Sequence, residues 1–317
     1  MKLIEGPVDG YDIIGDVHGE AELLERLLDQ LGYRAHERGF RHPDRKAIFV
    51  GDVLDRGPNI PRAIEIVNAM VECGDGYAVL GNHELGALAI HYLGEQLSEP
   101  EREAFYRQYI TTVAAFAGRS ASLQEHLERI RDWPMYIECP GFRVVHACWN
   151  PAAVDVLAVH DDRSRMVQPL LEKVFEWGSK ERGAALKLTN GVNLSLPIGM
   201  TLVGADGVER STVRANFWCE NPSTYADIAI VNGDLPSQIG SRQLTSVLKK
   251  QLPPAYGCDE RPLFVGHYWM LGSLRLASSN VVCVDFVDLQ KRRLAAYRWS
   301  NGADLDDANA WVQVWAD

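Results

Sequence analysis

Three short apolar runs, at 11–14, 47–50 and 77–80, each end in a glycine turn that carries an acid, an imidazole or an amide. The first leads into Gly15-Asp16-Val17-His18-Gly19. The second leads into Gly51-Asp52 and a turn at Arg56-Gly57-Pro58, and the third into Gly81-Asn82-His83-Glu84. Between the first two runs Leu23, Leu24, Leu27, Leu28 and Leu31 recur at helical spacing. Ile64, Val67 and Val71 mark one face of a second helix over 61–73. Strand, helix, strand, helix, strand predicts a parallel sheet with right-handed crossovers.

The rest of the chain is less regular. Residues from 85 to about 135 read as helical, and Ser98 with Glu101 fits a capping box with Pro100 in the first turn. That helix is expected to turn Phe105, Tyr109, Val113 and Phe116 inward. Strands are expected again at 142–145, 263–265 and 281–286, with a hairpin over 200–218 turning at Ala205-Asp206-Gly207. Residues 150–198 give no clear reading. No linker is evident, so the expectation is one domain over 1–317, with a helical insertion at about 85–135 and a substrate-shaping segment at about 150–260.

Composition excludes several classes. At 317 residues and 46% hydrophobic content, the chain can bury a core without disulfides. A balance of 32 basic against 43 acidic residues, net -11, lacks the basic footprint of a duplex-binding protein. Six cysteines without a CxxC pair give no zinc-finger or thioredoxin-like motif. The N-terminus turns acidic and glycine-rich before an apolar signal region forms, and no apolar stretch is long enough to span a bilayer. A cytoplasmic protein without a membrane partner is expected. Trp149, Trp269, Trp299, Trp311 and Trp315 are expected in the core or at its edge rather than as a base-stacking platform. His160-Asp161-Asp162 reads as an exposed loop, and 41–46 as a solvated charged turn.

The chemistry lies at the strand ends. Asp16, His18, Asp52, Asn82, His83, His146 and His267 each follow a predicted strand, where an open α/β sheet collects its ligand site. Carboxylate, imidazole and amide oxygen together suit Mn²⁺, Fe or Zn²⁺ better than Ca²⁺ or Cu(I). Two metals about 4 Å apart need a shared ligand, and Asp52 is a natural bridge. Water between them would lose a proton near neutral pH, and an adjacent histidine would protonate the leaving oxygen.

GDVHG at 15–19, GDVLDRG at 51–57 and GNHE at 81–84, followed by a lone histidine and a later GH, resemble the signature of PPP-type, calcineurin-like metallophosphoesterases. The strict match covers the first 85 or so residues plus His146 and His267. The most similar groups are bacterial symmetrical bis(5'-nucleosyl)-tetraphosphatases and bacterial serine/threonine or tyrosine protein phosphatases. The resemblance implies a β-sandwich flanked by helices in αββα layers, with a helical insertion after the third strand. It implies two divalent ions, manganese first, with iron, zinc or nickel as alternatives. Asp16, His18 and Asp52 would hold one ion; Asn82, His146 and His267, with Asp52, the other. His83 would be the general acid, oriented by Asp55, and Arg56 would bind phosphate oxygens. For a second phosphate-binding arginine the candidates are Arg214, which on strand alternation shares a face with Thr212, Asn216 and Trp218, and Arg210.

Three readings of the function follow. A protein phosphatase-like phosphomonoesterase is favoured by Asp55 and Glu84, which the tetraphosphatases usually lack. Length and the late Val284-Asp285 favour a symmetrical dinucleoside tetraphosphate hydrolase. An inactive binding module is the third, and the intact donor set argues against it.

Overall fold

In the computed structural model, which describes residues 10–161, 165–204 and 207–317, two sheets face each other and helices cover their outer faces. Strands Gly10–Ile14, Arg45–Phe49 and Gly76–Ala78 lie side by side and parallel, pairing Ile14 with Phe49 and Phe49 with Ala78. Helices Ala21–Gln30 and Ile60–Glu72 make the crossovers. The C-terminal strands Arg293–Ser300 and Trp311–Trp315 return antiparallel and extend this sheet beyond Gly10–Ile14. The second sheet runs in the order Val281–Cys283, Leu263–Val265, Arg143–Val145, Tyr136–Glu138.

Strand alternation explains the layering. Ile13 and Ile48 point into the space between the sheets, where they meet Val144, Phe264 and Val282. Their neighbours Ile14 and Phe49 point the other way, onto Leu24, Leu27, Ile64 and Val67 of the helices. A strand buried on both faces must be apolar at successive positions, and so it reads as a continuous run. The layers are αββα.

The insertion after the third strand is helical. It comprises Asn82–Leu93, Glu99–Ala115 and Ser120–Ile130, and the capping box at Ser98 and Glu101 is present. Tyr109 and Phe116 are buried, while Phe105 and Val113 pack part-exposed against the core. The stretch that gave no clear reading folds as helices Pro151–Ala158, Gln168–Phe175 and Lys180–Asn190.

The hairpin expected over 200–218 is only partly formed. Leu202–Val203 pairs with Glu209–Arg210, and the turn residues Ala205 and Asp206 lie outside the described residues. Thr212–Ala215 leaves that hairpin to pair with Asn193–Ser195 and Ala229–Ile230. Val213 and Ala215 there find an apolar lining in Leu194, Tyr225 and Ile228 that the hairpin could not supply. The charged turn at 41–46 also differs from expectation. Arg45 opens its strand, and its guanidinium is buried against the fully buried Asp12. His160 pairs with Glu181 and Asp161 accepts from Arg165, while Asp162 lies outside the described residues. Among the described residues no helix is long and apolar enough to cross a membrane.

Candidate metal centre

The strand ends bring the predicted donors to one place. Oδ2 of Asp52 lies 3.4 Å from Nε2 of His146, 3.6 Å from Nε2 of His18 and 3.8 Å from Nε2 of His83. Oδ1 of Asn82 is 3.1 Å from Nδ1 of His267 and 3.3 Å from Nε2 of His146. The Asp16 carboxylate accepts the His267 backbone N–H at 3.2 Å. Two sets of ligand atoms, His18–Asp52–His83 and Asp16–Asp52–His146, each fall within 4.8 Å, and Asp52 belongs to both.

Such convergence bends the backbone hard. His18, Asp52, Asp55, Arg56 and His267 all have positive φ, between 42° and 70°. Strain of this kind collects where the surrounding fold holds functional groups in place. Gly81 and Gly266 are among the glycines that close approach requires. A Cβ at Gly81 would lie 2.1 Å from Oδ1 of Asp52, and one at Gly266 would lie 2.2 Å from Oδ1 of Asp16.

The donor set fits divalent cations on the protein's own geometry. Nδ1–H of His18 donates to the Leu54 carbonyl at 2.9 Å, and Nδ1–H of His146 to the Val50 carbonyl at 2.7 Å. His267 bonds the Asn190 carbonyl. A carbonyl on one ring nitrogen fixes the tautomer and leaves the other as a lone pair aimed at the centre, the arrangement metal-binding imidazoles use. Nε2 of His18 is buried with no hydrogen-bond partner among the described residues.

Electrostatics point the same way. Burial, then Arg56 and His83, hold His18 well below the usual imidazole range, and burial with Arg214 and His146 does the same to His267. Both therefore keep a free lone pair. Burial, then Asp285, push Asp16 well above the usual carboxylate range. For Asp52 burial pushes upward, but His146, His83 and His18 outweigh it and hold the group well below its usual value. Burial pulls His146 down, yet Asp52 and Asp16 push it up to about 10. Acids and imidazoles compete for protons here, a conflict that cations resolve.

Next to this cluster stands a buried pair. Nδ1 of His83 is 2.6 Å from Oδ2 of Asp55. Thr112, 57 residues along the chain on the inserted helix, donates its hydroxyl to Oδ1 of Asp55 at 2.5 Å and accepts the Asp55 N–H at 3.1 Å. Thr111 accepts the Arg56 N–H at 3.2 Å. The insertion thus braces the turn that carries Asp55 and Arg56.

Four residues with a part in the site were not read from the sequence as such. Besides Thr112, fully buried Glu84 accepts backbone N–H groups from Asp52, Val53, Leu54 and Gly81 at 2.7–3.1 Å, tying one ligand turn to the next. Its place at the third residue of a helix, reaching back to the N-cap amide, was the available signal. Buried Asp285 accepts the Trp269 N–H at 2.7 Å. Trp269, expected in the core or at its edge, lies instead beside the site, its ring centroid 4.6 Å from the Arg56 guanidinium carbon.

A cavity of about 370 Å³ opens from the cluster and is lined by Arg56, Asn82, His267, Arg214 and Arg210 among others. Both arginine candidates therefore reach it. Arg214 is the closer to the donors, with Nη1–H donating to the His267 carbonyl at 2.7 Å. Nη2 of Arg56 is 3.3 Å from Nε2 of His83.

Comparison with known proteins agrees with this geometry. A family model described as calcineurin-like phosphoesterase matches residues 11–185. A protein of Halalkalibacterium halodurans named bis(5'-nucleosyl)-tetraphosphatase PrpE (asymmetrical) is 46% identical over 74 residues, 23% of this chain and 30% of its own. Its namesake in Oceanobacillus iheyensis is 45% identical over 142 residues, 43% of this chain and 54% of its own. The chain thus spans about half the length of these relatives or less. A protein serine/threonine phosphatase from Saccharomyces cerevisiae, with similarity to human phosphatase PP5, matches 100% of this chain and 82% of its own. It has a TM-score of 0.52 at 15% identity, a likeness of fold alone.

Proposed function

The chain belongs to the calcineurin-like phosphoesterase family, and from that premise we propose that it hydrolyses a phosphomonoester at a pair of divalent cations, with His83 as the general acid. The observation that carries the reading is Asp52, whose carboxylate belongs to both the His18–Asp52–His83 and the Asp16–Asp52–His146 groups; the ion sets that follow regroup these donors as the family resemblance implies. Asp16, His18 and Asp52 would hold one ion, and Asp52, Asn82, His146 and His267 the other; manganese is the first choice, with iron, zinc or nickel as alternatives. Such ions polarise phosphoryl oxygens and bring the pKa of water toward neutrality.

The chain's own groups do the rest. Arg56 and Arg214 bind and orient phosphate oxygens, for which the planar guanidinium fork is suited. Nε2 of His83 gives its proton to the departing oxygen, while Asp55 holds Nδ1–H and stabilises the imidazolium. Residues 1–317 act as one unit, in which 150–260 shape the substrate cavity. The setting is a reducing cytoplasm, where the six free thiols persist.

A second reading is hydrolysis of a dinucleoside tetraphosphate. It is favoured by the names of the relatives and by the three arginines of the cavity. Those names specify asymmetrical cleavage, so this reading takes that sense in place of the symmetrical one expected from the motifs.

The test is a substrate panel on chelator-stripped protein refilled with Mn²⁺, Ni²⁺, Fe²⁺ or Zn²⁺. Phosphopeptides, an aryl phosphate and dinucleoside tetraphosphates would be compared, and the phosphopeptide and aryl phosphate are expected to turn over with Mn²⁺. Exclusive cleavage of the tetraphosphate would move the conclusion to the second reading. No hydrolysis with any bound ion would overturn both.

A smaller effect is expected of Thr112→Val. It strands the buried Asp55 N–H, at a cost of about 1–3 kcal/mol of stability, and loosens the grip on His83. Thermal unfolding should fall and alkyl phosphate turnover should slow. A variant that melts and turns over like the parent would show that Asp55 does not depend on Thr112.

A further inference from the structure

Trp269 reaches the cavity on a backbone that bulky residues seldom adopt. Its φ is 53°, two residues after His267 at 70°, and such geometry persists only where its surroundings enforce it. The enforcement is visible. The Trp269 N–H donates to Oδ2 of buried Asp285, the Met270 N–H donates to the Asp285 carbonyl at 2.8 Å, and the Val287 N–H donates to the Met270 carbonyl at 3.0 Å. These bonds lace the loop after His267 to the loop after strand Val281–Cys283 and deliver the indole to Arg56.

The contact joins complementary parts of the two side chains. The Arg56 guanidinium carbon lies over the Trp269 ring, 4.6 Å from its centroid, and a guanidinium that meets a ring by its face keeps its N–H edge for a phosphate; one edge nitrogen, Nη2, is 3.3 Å from Nε2 of His83. Arg56 is solvent-exposed, and an exposed arginine without a platform samples many rotamers, so binding phosphate must repay that freedom. Arg56 and Trp269 also line two cavities in common, of about 370 and about 590 Å³, and so form the ridge between them.

We propose that Trp269 is a positioning residue that holds the Arg56 guanidinium by its face, ready to receive the substrate phosphate. The inference rests on the proposed phosphoesterase reading, in which Arg56 meets phosphate. Arg56 is exposed, so loss of the stack is expected to weaken phosphate binding by about threefold to fivefold.

The experiment measures the affinity of inorganic phosphate by calorimetry on the full-length, manganese-loaded protein, alongside kcat and KM for para-nitrophenyl phosphate. Trp269→Ala should weaken phosphate by about threefold to fivefold, and Trp269→Phe, which keeps a ring, should stay within about twofold of the parent. In an Arg56→Ala background, Trp269→Ala should add less than about twofold. A purely structural role would reduce the active fraction, and hence kcat, without changing phosphate affinity per active site. Unchanged phosphate affinity in Trp269→Ala overturns the proposal, as does an equal loss with and without Arg56, or a phenylalanine variant as impaired as alanine. If Arg56→Ala itself leaves phosphate affinity intact, the role of Arg56 in the phosphoesterase reading fails instead, and the positioning role fails with it.

Discussion

Asp52→Asn is expected to abolish turnover, by about a thousandfold or more, and to cut the retained ions from two per chain to one or none. Among the described residues the Asp52 carboxylate is the one acid within 4 Å of imidazole nitrogens from His18, His83 and His146, and it belongs to both ligand groups. An amide removes the negative charge and offers an N–H₂ where a ligand oxygen stood. Asn82 already supplies the centre with one neutral oxygen, so a second leaves Asp16 as the remaining carboxylate of the donor set. The measurement is elemental analysis after manganese loading, paired with turnover of an aryl phosphate and with circular dichroism to show that the fold survives. A variant that keeps both ions and its turnover would remove Asp52 from the bridging position. Loss of turnover with both ions retained would separate charge from coordination and point to the placement of His83, whose backbone N–H donates to Oδ1 of Asp52 at 3.0 Å.

This centre was legible in the sequence because its donors sit next to strands that are themselves legible. His146 directly follows strand Arg143–Val145, and Asp16 is two residues beyond Ile14. Leu263–Val265 is buried at every position and Gly266 ends it, and the run at 47–50 is likewise buried throughout and ends at Gly51; Arg143–Val145 shows only Val144 and Val145 as apolar residues before His146. The groups that brace the donors are less legible, because the partners they hold lie far along the chain. Glu84 bonds backbone amides 30 to 32 residues away, and Thr112 holds Asp55 across 57. In the sequence Thr112 is one hydroxyl on a helix of low amphipathicity. Trp269 misled because large aromatics usually lie in cores, and nothing near it in the chain announces Arg56. The small sheet around Thr212–Ala215 was missed for a different reason. Its strands, Asn193–Ser195 and Ala229–Ile230 among them, are two to four residues long, too short for alternation to register.

His83→Ala is expected to separate substrates by their leaving groups. An alkoxide is a poor leaving group and needs a proton as the P–O bond breaks, whereas an aryl oxide or a nucleoside diphosphate departs with little help. Hydrolysis of an alkyl phosphate should therefore fall by about a hundredfold or more, the usual worth of a positioned acid. Hydrolysis of a phosphoanhydride should fall less, within about tenfold. The geometry supports this division of labour. His83 is held through Nδ1 by Asp55 at 2.6 Å, and Nε2 faces Arg56 and Asp52. In the proposed reading Nε2, once protonated, would be the atom that meets the departing oxygen. The comparison is made as kcat/KM at saturating manganese, with bound ions counted in the variant, since His83 lies within ligand distance of Asp52. If both substrate classes lose equally while the ions remain, His83 is not the acid, and its pairing with Asp55 serves to shape the centre. If instead ions are lost, His83 is a ligand, and the donor set is larger by one imidazole.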